Sequence, residues 1–215
     1  MEPFTLKTAE KILLISLDLF NSQGERNITS VDIANELDIS PGNLYYHYKG
    51  KDEIINALVD SYVIKMNAIP QSSSQSEDFY KYLFYCLETM HLFRFLFQNI
   101  AEISKHYPAI NSKLQRLAQF QRQYLRKSLL EQQQDGTLTG TSADIDLLLD
   151  IISISLFQSL NYYQMQGDSL GNPDIVYRTL MTIYFSLQPY YPVNDETAKI
   201  KLAILNKTLI KRETA

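Results

Sequence analysis

Between Thr29 and Ile54 the chain reads Thr-Ser-Val-Asp-Ile-Ala-Asn-Glu-Leu-Asp-Ile-Ser-Pro-Gly-Asn-Leu-Tyr-Tyr-His-Tyr-Lys-Gly-Lys-Asp-Glu-Ile, a pattern that admits little except two short helices set at a tight angle. Thr29 or Ser30 supplies the N-cap of the first, and Val31, Ala34 and Leu37 then recur at helical spacing on one face. Ala34 is small where two helices must approach closely. Asp38 and Ile39 form the connection, with Ile39 as its apolar plug. Ser40 and Pro41 then start the second helix, a cap followed by proline at the first helical position, where its missing N–H has no partner to lose. Two helices joined in this way make a helix-turn-helix, in which the first residues of the second helix meet base edges in the DNA major groove. Those residues are Pro41, Gly42, Asn43, Tyr45 and Tyr46, followed by His47, Lys49 and Lys51. The amide of Asn43 suits bidentate pairing with adenine. The tyrosines and lysines suit phosphate and base contact, with Tyr48 the one expected to pack. Thr29 and Ser30 complete the candidate DNA-contacting set.

The end of that segment resembles the tetracycline-repressor (TetR) family. The family places Leu-Tyr-x-His-aromatic at the end of its recognition helix and a Lys-x-x-Leu-like start to the next, and this chain has Leu44-Tyr45-Tyr46-His47-Tyr48 and Lys51-Asp52-Glu53-Ile54. The match in motif runs from about Lys7 to about Leu58. The remainder resembles the family's helical regulatory part in length and pattern. The resemblance implies an all-α chain with an N-terminal three-helix DNA-binding domain and a C-terminal ligand-binding and dimerisation domain.

Charge distribution restricts how such a head can work. A DNA-binding protein is expected to carry a basic footprint, yet the first 66 residues hold six Lys and Arg against ten Asp and Glu. Few phosphates would be neutralised, so non-specific affinity should be weak and specificity should lean on base contacts and dimer geometry. At 215 residues and 45% hydrophobic the chain can bury a sizeable core. Seven glycines and seven prolines leave little for the turns of a sheet protein. No basic, apolar leader opens the chain, and no apolar run reaches the roughly 18 residues that span a bilayer, so a cytoplasmic protein without membrane contact is expected. The single Cys86, set in Phe84-Tyr85-Cys86-Leu87, reads as a buried small hydrophobe.

The rest of the chain divides at its punctuation. Thr5 to Gln23 forms an amphipathic helix with Ile12, Ile15, Leu19 and Phe20 inward and Gly24 as its stop. Lys51 to about Asn67 forms a fourth helix with Ile54, Leu58 and Tyr62 on one face, ending before Pro70 and the serine-rich Gln71 to Ser76. This gives a DNA-binding domain over residues 1–50, a connecting helix over 51–70 and a regulatory part over 71–215. Glu77 to about Tyr107 is helical with one break near Met90 to Leu92, and Pro108 opens a helix to Gln134. Ser142 caps a helix to about Gln166 that is apolar on all sides, and Pro173 opens another over-supplied with apolar residues. A helix apolar all round must be buried all round. Two such helices from each of two chains would form a four-helix dimer interface, for which Ile145, Leu149, Ile152, Leu156, Val176, Leu180 and Tyr184 are the candidates. A last amphipathic helix runs from Asn194 to about Arg212.

Aromatic side chains are plentiful, with 15 tyrosines and 10 phenylalanines. Tyr62, Met66, Tyr80, Phe84, Leu87, Phe95, Phe120, Tyr124, Phe157 and Tyr162 lie on helices that in the resembling family enclose an effector cavity. Few basic residues accompany them, which favours an apolar or weakly polar small molecule. His91 and His106 have no partner at ligand spacing, so no metal is expected. Ser153, Ser155 and Ser159 lack a histidine and acid, and no glycine-rich phosphate loop is present. No cofactor and no enzymatic chemistry are expected. The reading is a homodimeric regulator, most simply a repressor, that binds a near-palindromic double-stranded DNA operator and is released by an apolar effector. The alternative is a helical adaptor whose helix-turn-helix contacts protein.

Overall fold

The computed structural model describes residues 7–71, 76–98 and 100–209, and among these every regular element is a helix. Helix α1 (Thr8–Gln23) starts after Lys7, whose N–H donates to the Glu10 carboxylate at 3.0 Å, and stops at Gly24, whose φ of 83° suits a residue with no Cβ. The expected start at Thr5 lies outside the described residues. A short 3-10 turn, Glu25–Asn27, leads to α2 (Ser30–Glu36), α3 (Pro41–His47) and α4 (Lys51–Asn67). Between α2 and α3 Asp38 takes φ 53°, a left-handed conformation that aspartate tolerates, and the Ile39 N–H donates back to the Ala34 carbonyl at 3.0 Å. The four helices share a core of Ile12, Phe20, Ile33, Ala34, Leu44 and Ile54, all fully buried. One expectation is corrected here. Val31 is 48% exposed, and Ile33 takes the inward place beside Ala34. Position 31 falls in the first turn of a seven-residue helix, beyond the reach of α1.

The helices that follow are α5 (Ser76–Leu92), α6 (Phe95–Gln98), α7 (Ile100–His106), α8 (Pro108–Gln134), α9 (Ser142–Met165), α10 (Asp174–Leu187) and α11 (Asp195–Leu205). The break expected near Met90 to Leu92 falls just after it, at Phe93 and Arg94, and the segment to His106 forms three helices in place of two. Asn21 of α1 explains the position. Its amide donates to the Leu92 carbonyl at 2.8 Å and accepts from the Phe95 N–H at 3.0 Å, replacing hydrogen bonds that a continuous helix would make. The cap of α9 is Thr141, which bonds the Asp144 N–H while Asp144 bonds the Thr141 N–H, so Ser142 is the first helical residue. Helix α11 ends at Leu205, short of the expected Arg212, which is outside the described residues.

Helix α9 packs between α8 and α10, and α10 packs on α5 and α11. Arg122 and Arg126 of α8 reach Asp150 and Asp146 of α9 at 2.8 and 3.1 Å. Ile145, Leu149, Ile152, Leu156, Val176, Leu180 and Tyr184 are all buried within this single chain, which corrects their assignment to a partner-facing surface. The outward apolar residues of α9 are Leu147, Ile151, Ile154, Tyr162 and Met165, and Phe185 is exposed on α10. Sequence alone does not orient the all-round apolar surface of α9; α8, α6 and α10 cover the side that carries Ile145, Leu149, Ile152 and Leu156. Among the described residues no helix is long and apolar enough to cross a membrane.

Candidate nucleic-acid interface and interior cavity

The head is fixed by local hydrogen bonds. Thr29 caps α2: its Oγ1 accepts from the Asp32 N–H at 3.2 Å, while the Asp32 carboxylate accepts from the Thr29 hydroxyl at 2.6 Å and its N–H at 2.8 Å. These bonds from Thr29, the hydroxyl first, hold the Asp32 carboxyl below the usual carboxylate range. Ser40 caps α3 by accepting from the Asn43 N–H at 3.2 Å, with Pro41 in the first turn. Leu44 is the one buried residue of α3. That single anchor turns Pro41, Gly42, Asn43, Tyr45 and Tyr46 to the surface, Tyr46 at 79% exposure with the His47 ring edge-on at 5.1 Å. Tyr48 is partly buried and its hydroxyl donates to the Ala9 carbonyl at 3.4 Å, in keeping with a packing role. Lys49 is exposed and its Nζ donates to the Tyr45 carbonyl at 3.3 Å.

Lys51 is placed differently from Lys49. Its Nζ lies 3.0 Å from the Glu25 carboxylate and donates to the Glu25 carbonyl, also at 3.0 Å. The same Glu25 carboxylate accepts from the Tyr107 hydroxyl at 2.9 Å, and Arg26 pairs with Glu102. Burial first, then Glu25, pushes the Tyr107 phenol above its ordinary range. The turn between α1 and α2 is thereby tied both to the start of α4 and to the α7–α8 junction. Together with Asn21, these contacts join the head to the regulatory helices. Nothing local marks Asn21, Glu25 or Tyr107 in the sequence, since each partner is 26 to 82 residues away.

The ten residues expected around an effector do not form one site. Tyr62 and Phe157 line a cavity of about 220 Å³ that opens to the surface beside the exposed Gln115, together with Phe97, Ile100, Leu114 and Leu117. Its polar lining is Asn111, Gln115 and Gln121, and no charged side chain takes part. Burial holds the Tyr62 phenol neutral far above its ordinary range. Met66, Tyr80, Phe84, Leu87 and Phe95 are core residues, and Tyr124 packs partly buried on the Tyr82 ring. Phe120 and Tyr162 are corrected outright: at 46% and 57% exposed they stand on the outer faces of α8 and α9. Gln121 donates to the Cys86 sulfur at 3.6 Å, and burial pushes the Cys86 thiol up to about 12, the behaviour of a buried apolar residue. Among the described residues no group of three His, Cys, Asp or Glu is placed to hold a metal.

Comparison with known proteins agrees with this architecture. Residues 12–58 match the model of bacterial regulatory proteins of the tetR family, and residues 62–197 match the TetR model described as bacterial transcriptional repressor. A TetR-family transcriptional regulator from Marinobacter aquaeolei superposes with a TM-score of 0.75 at 24% identity, over 94% of this chain and 99% of that one. The ketosteroid transcriptional regulator KstR2 of Mycobacterium tuberculosis gives 0.70 at 18% identity, over 88% and 97%. An uncharacterised HTH-type transcriptional regulator in the dhlA 5′ region of Xanthobacter autotrophicus is 34% identical over 53 residues, which is 25% of this chain and about a quarter (26%) of that relative's length.

Proposed function

The chain belongs to the TetR family of bacterial regulatory proteins, and we propose that it is a homodimeric transcriptional repressor released from its operator by a small, largely apolar molecule. The observation that carries the reading is α3, where one buried leucine leaves Asn43, Tyr45 and Tyr46 exposed together beside Lys49. Residues 1–50 act as the head, 51–70 as the connecting helix and 71–215 as the regulatory part. The outer apolar stripe of α9 with Phe185 of α10 supplies the twofold contact. The uncharged cavity around Tyr62 and Phe157 supplies the effector site, and its size favours a compact ligand with one hydroxyl or amide group. Tyr62 lies on α4 and Ile100 on α7, and both helices lead to the Lys51–Glu25–Tyr107 joint. A ligand that shifts α7 against α4 therefore changes the placement of the head. A coupling of about 1 to 3 kcal/mol would shift operator affinity by about 5- to 150-fold. Such a protein works in the cytoplasm.

Selection from a random duplex pool tests the reading. The expected product is a near-palindrome with half-sites about one helical turn apart or a multiple of it. A pool that enriches no sequence would overturn the proposal and favour a head that contacts protein.

A further inference from the structure

A second recess, of about 610 Å³, lies between the last turn of α4, the C-terminal half of α5 and the first turn of α10. It shares no lining residue with the cavity beside Tyr62. Its walls include Ile69, Pro70, Leu92 and Val176. Two of its polar atoms, His91 Nε2 and Arg94 Nε, are buried with no hydrogen-bond partner among the described residues. Arg94 makes no ion pair among the described residues; its Nη1 reaches only the His91 carbonyl, at 3.4 Å, and its Nη2 lies beside Gly171 of the loop before α10. The His91 ring also faces the backbone of Leu170 and Asn172, while its burial and the nearby Arg94 charge lower its pKa.

Folded proteins rarely leave two neighbouring polar groups unmet, because each loses its water for nothing in return. A group with two acceptor oxygens would satisfy both, since guanidinium and imidazolium N–H groups are donors to carboxylate in any such arrangement. The charges around the recess are Lys65 and Arg94 against Glu88, with the Asp18 carboxylate also acting on Arg94, so the excess positive charge comes from His91 when it is protonated. One excess charge suits a monoanion. We infer that the recess between α4, α5 and α10 binds a small organic monocarboxylate, held by Arg94 and His91 with its apolar body along Ile69, Pro70 and Leu92.

The inference does not depend on DNA binding, and it is tested on the full chain with benzoate, benzamide and phenyl phosphate. Benzoate should raise the melting temperature, and it should raise the pKa of His91 followed by proton NMR, with the resonance assigned through His91→Gln among only three histidines. Benzamide should do neither. Arg94→Gln should keep the helical content and lose about ten- to a hundredfold in benzoate affinity. Arg94→Lys keeps the charge but not the Nε–H, and it covers the case in which glutamine prevents folding. Unchanged benzoate affinity in a folded Arg94 variant would overturn the site. Equal responses to benzoate and benzamide would show an apolar recess only. Tighter binding of phenyl phosphate would overturn the monocarboxylate class. No response to any of the three would leave the two nitrogens to ordered water and refute the proposal.

Discussion

Ile154→Glu separates the dimer interface from the fold. Ile154 is 63% exposed midway along the outer stripe of α9, so a partner covering it removes about 1 to 2 kcal/mol of apolar exposure per copy. A glutamate held there instead loses hydration on association, at a cost of about 2 kcal/mol or more per charge. Twofold symmetry doubles both effects. Taking about 1 to 2 kcal/mol for the lost burial and about 2 kcal/mol for the desolvated charge in each copy, the dimer weakens by roughly 6 to 8 kcal/mol, more than four powers of ten in dissociation constant. The isolated chain should barely notice, since an exposed substitution away from a cap or ion pair stays within about 0.5 kcal/mol. Sedimentation at micromolar concentration should then show a folded monomer near 24.9 kDa, with wild-type circular dichroism and no operator binding. Leu149→Glu is the contrasting case. Leu149 is fully buried in its own chain, so that charge should unfold the protomer before any question of assembly. An Ile154→Glu protein that sediments as a dimer and keeps its operator affinity would refute the stripe as the interface.

Asn43→Ala should lose discrimination at one or two base pairs per half-site, about 1 to 3 kcal/mol each, in competition across a duplex panel; an unchanged preferred sequence would remove Asn43 from the base-reading set. Thr29→Ala should lower the urea midpoint at pH 7, because the Asp32 carboxyl is depressed by Thr29 and its ionised form is favoured in the native state. Stability from a depressed carboxyl is present above its unfolded pKa of about 3.8 and lost as pH falls through the folded value, so the gap to wild type should narrow as the pH falls below about 3.8. A gap that stays constant over that fall would exclude the Asp32 contribution. Cys86, with its thiol near 12, should resist Ellman's reagent at neutral pH until the chain unfolds, and labelling in native buffer at the rate of a free thiol would contradict its burial.

The parts of the fold that sequence could establish are those governed by neighbours in sequence. Ser40, Pro41 and Asn43 lie within three residues and determine the start of α3 by themselves, and the helix expected from Lys51 to about Asn67 agrees with α4. Orientation required information from far along the chain. The alternation on α9 is compatible with either face inward, and only packing against α8 and α10 decides that Leu149 is inside and Ile154 outside. The α5–α6 break sits where Asn21, more than 70 residues earlier, supplies substitute hydrogen bonds. Phe84 and Phe120 look alike in sequence, yet one is core and the other surface. The cavity was legible through Tyr62 and Phe157 alone, because its other walls include Asn111, Gln115 and Gln121, residues that resemble an ordinary solvated helix face.

The acidity of the head bears on how release would work. Lys51 is already met by Glu25, so Lys49 is the basic side chain left beside α3, and the first 66 residues remain net acidic. A head that neutralises few phosphates gains little from counterion release, and its affinity for a single half-site should be low. Joining two heads makes the second contact intramolecular, with an effective concentration in about the millimolar range for a well-matched span. Most operator affinity would then exist only while the spacing of the two heads fits the half-sites. A repressor built this way needs no disruption of α3 to let go. On the proposed reading a small displacement at the joint where Glu25 meets Lys51 and Tyr107 would be enough, because that joint ties the turn before α2 to the junction after α7, the helix that contributes Ile100 to the cavity beside Tyr62.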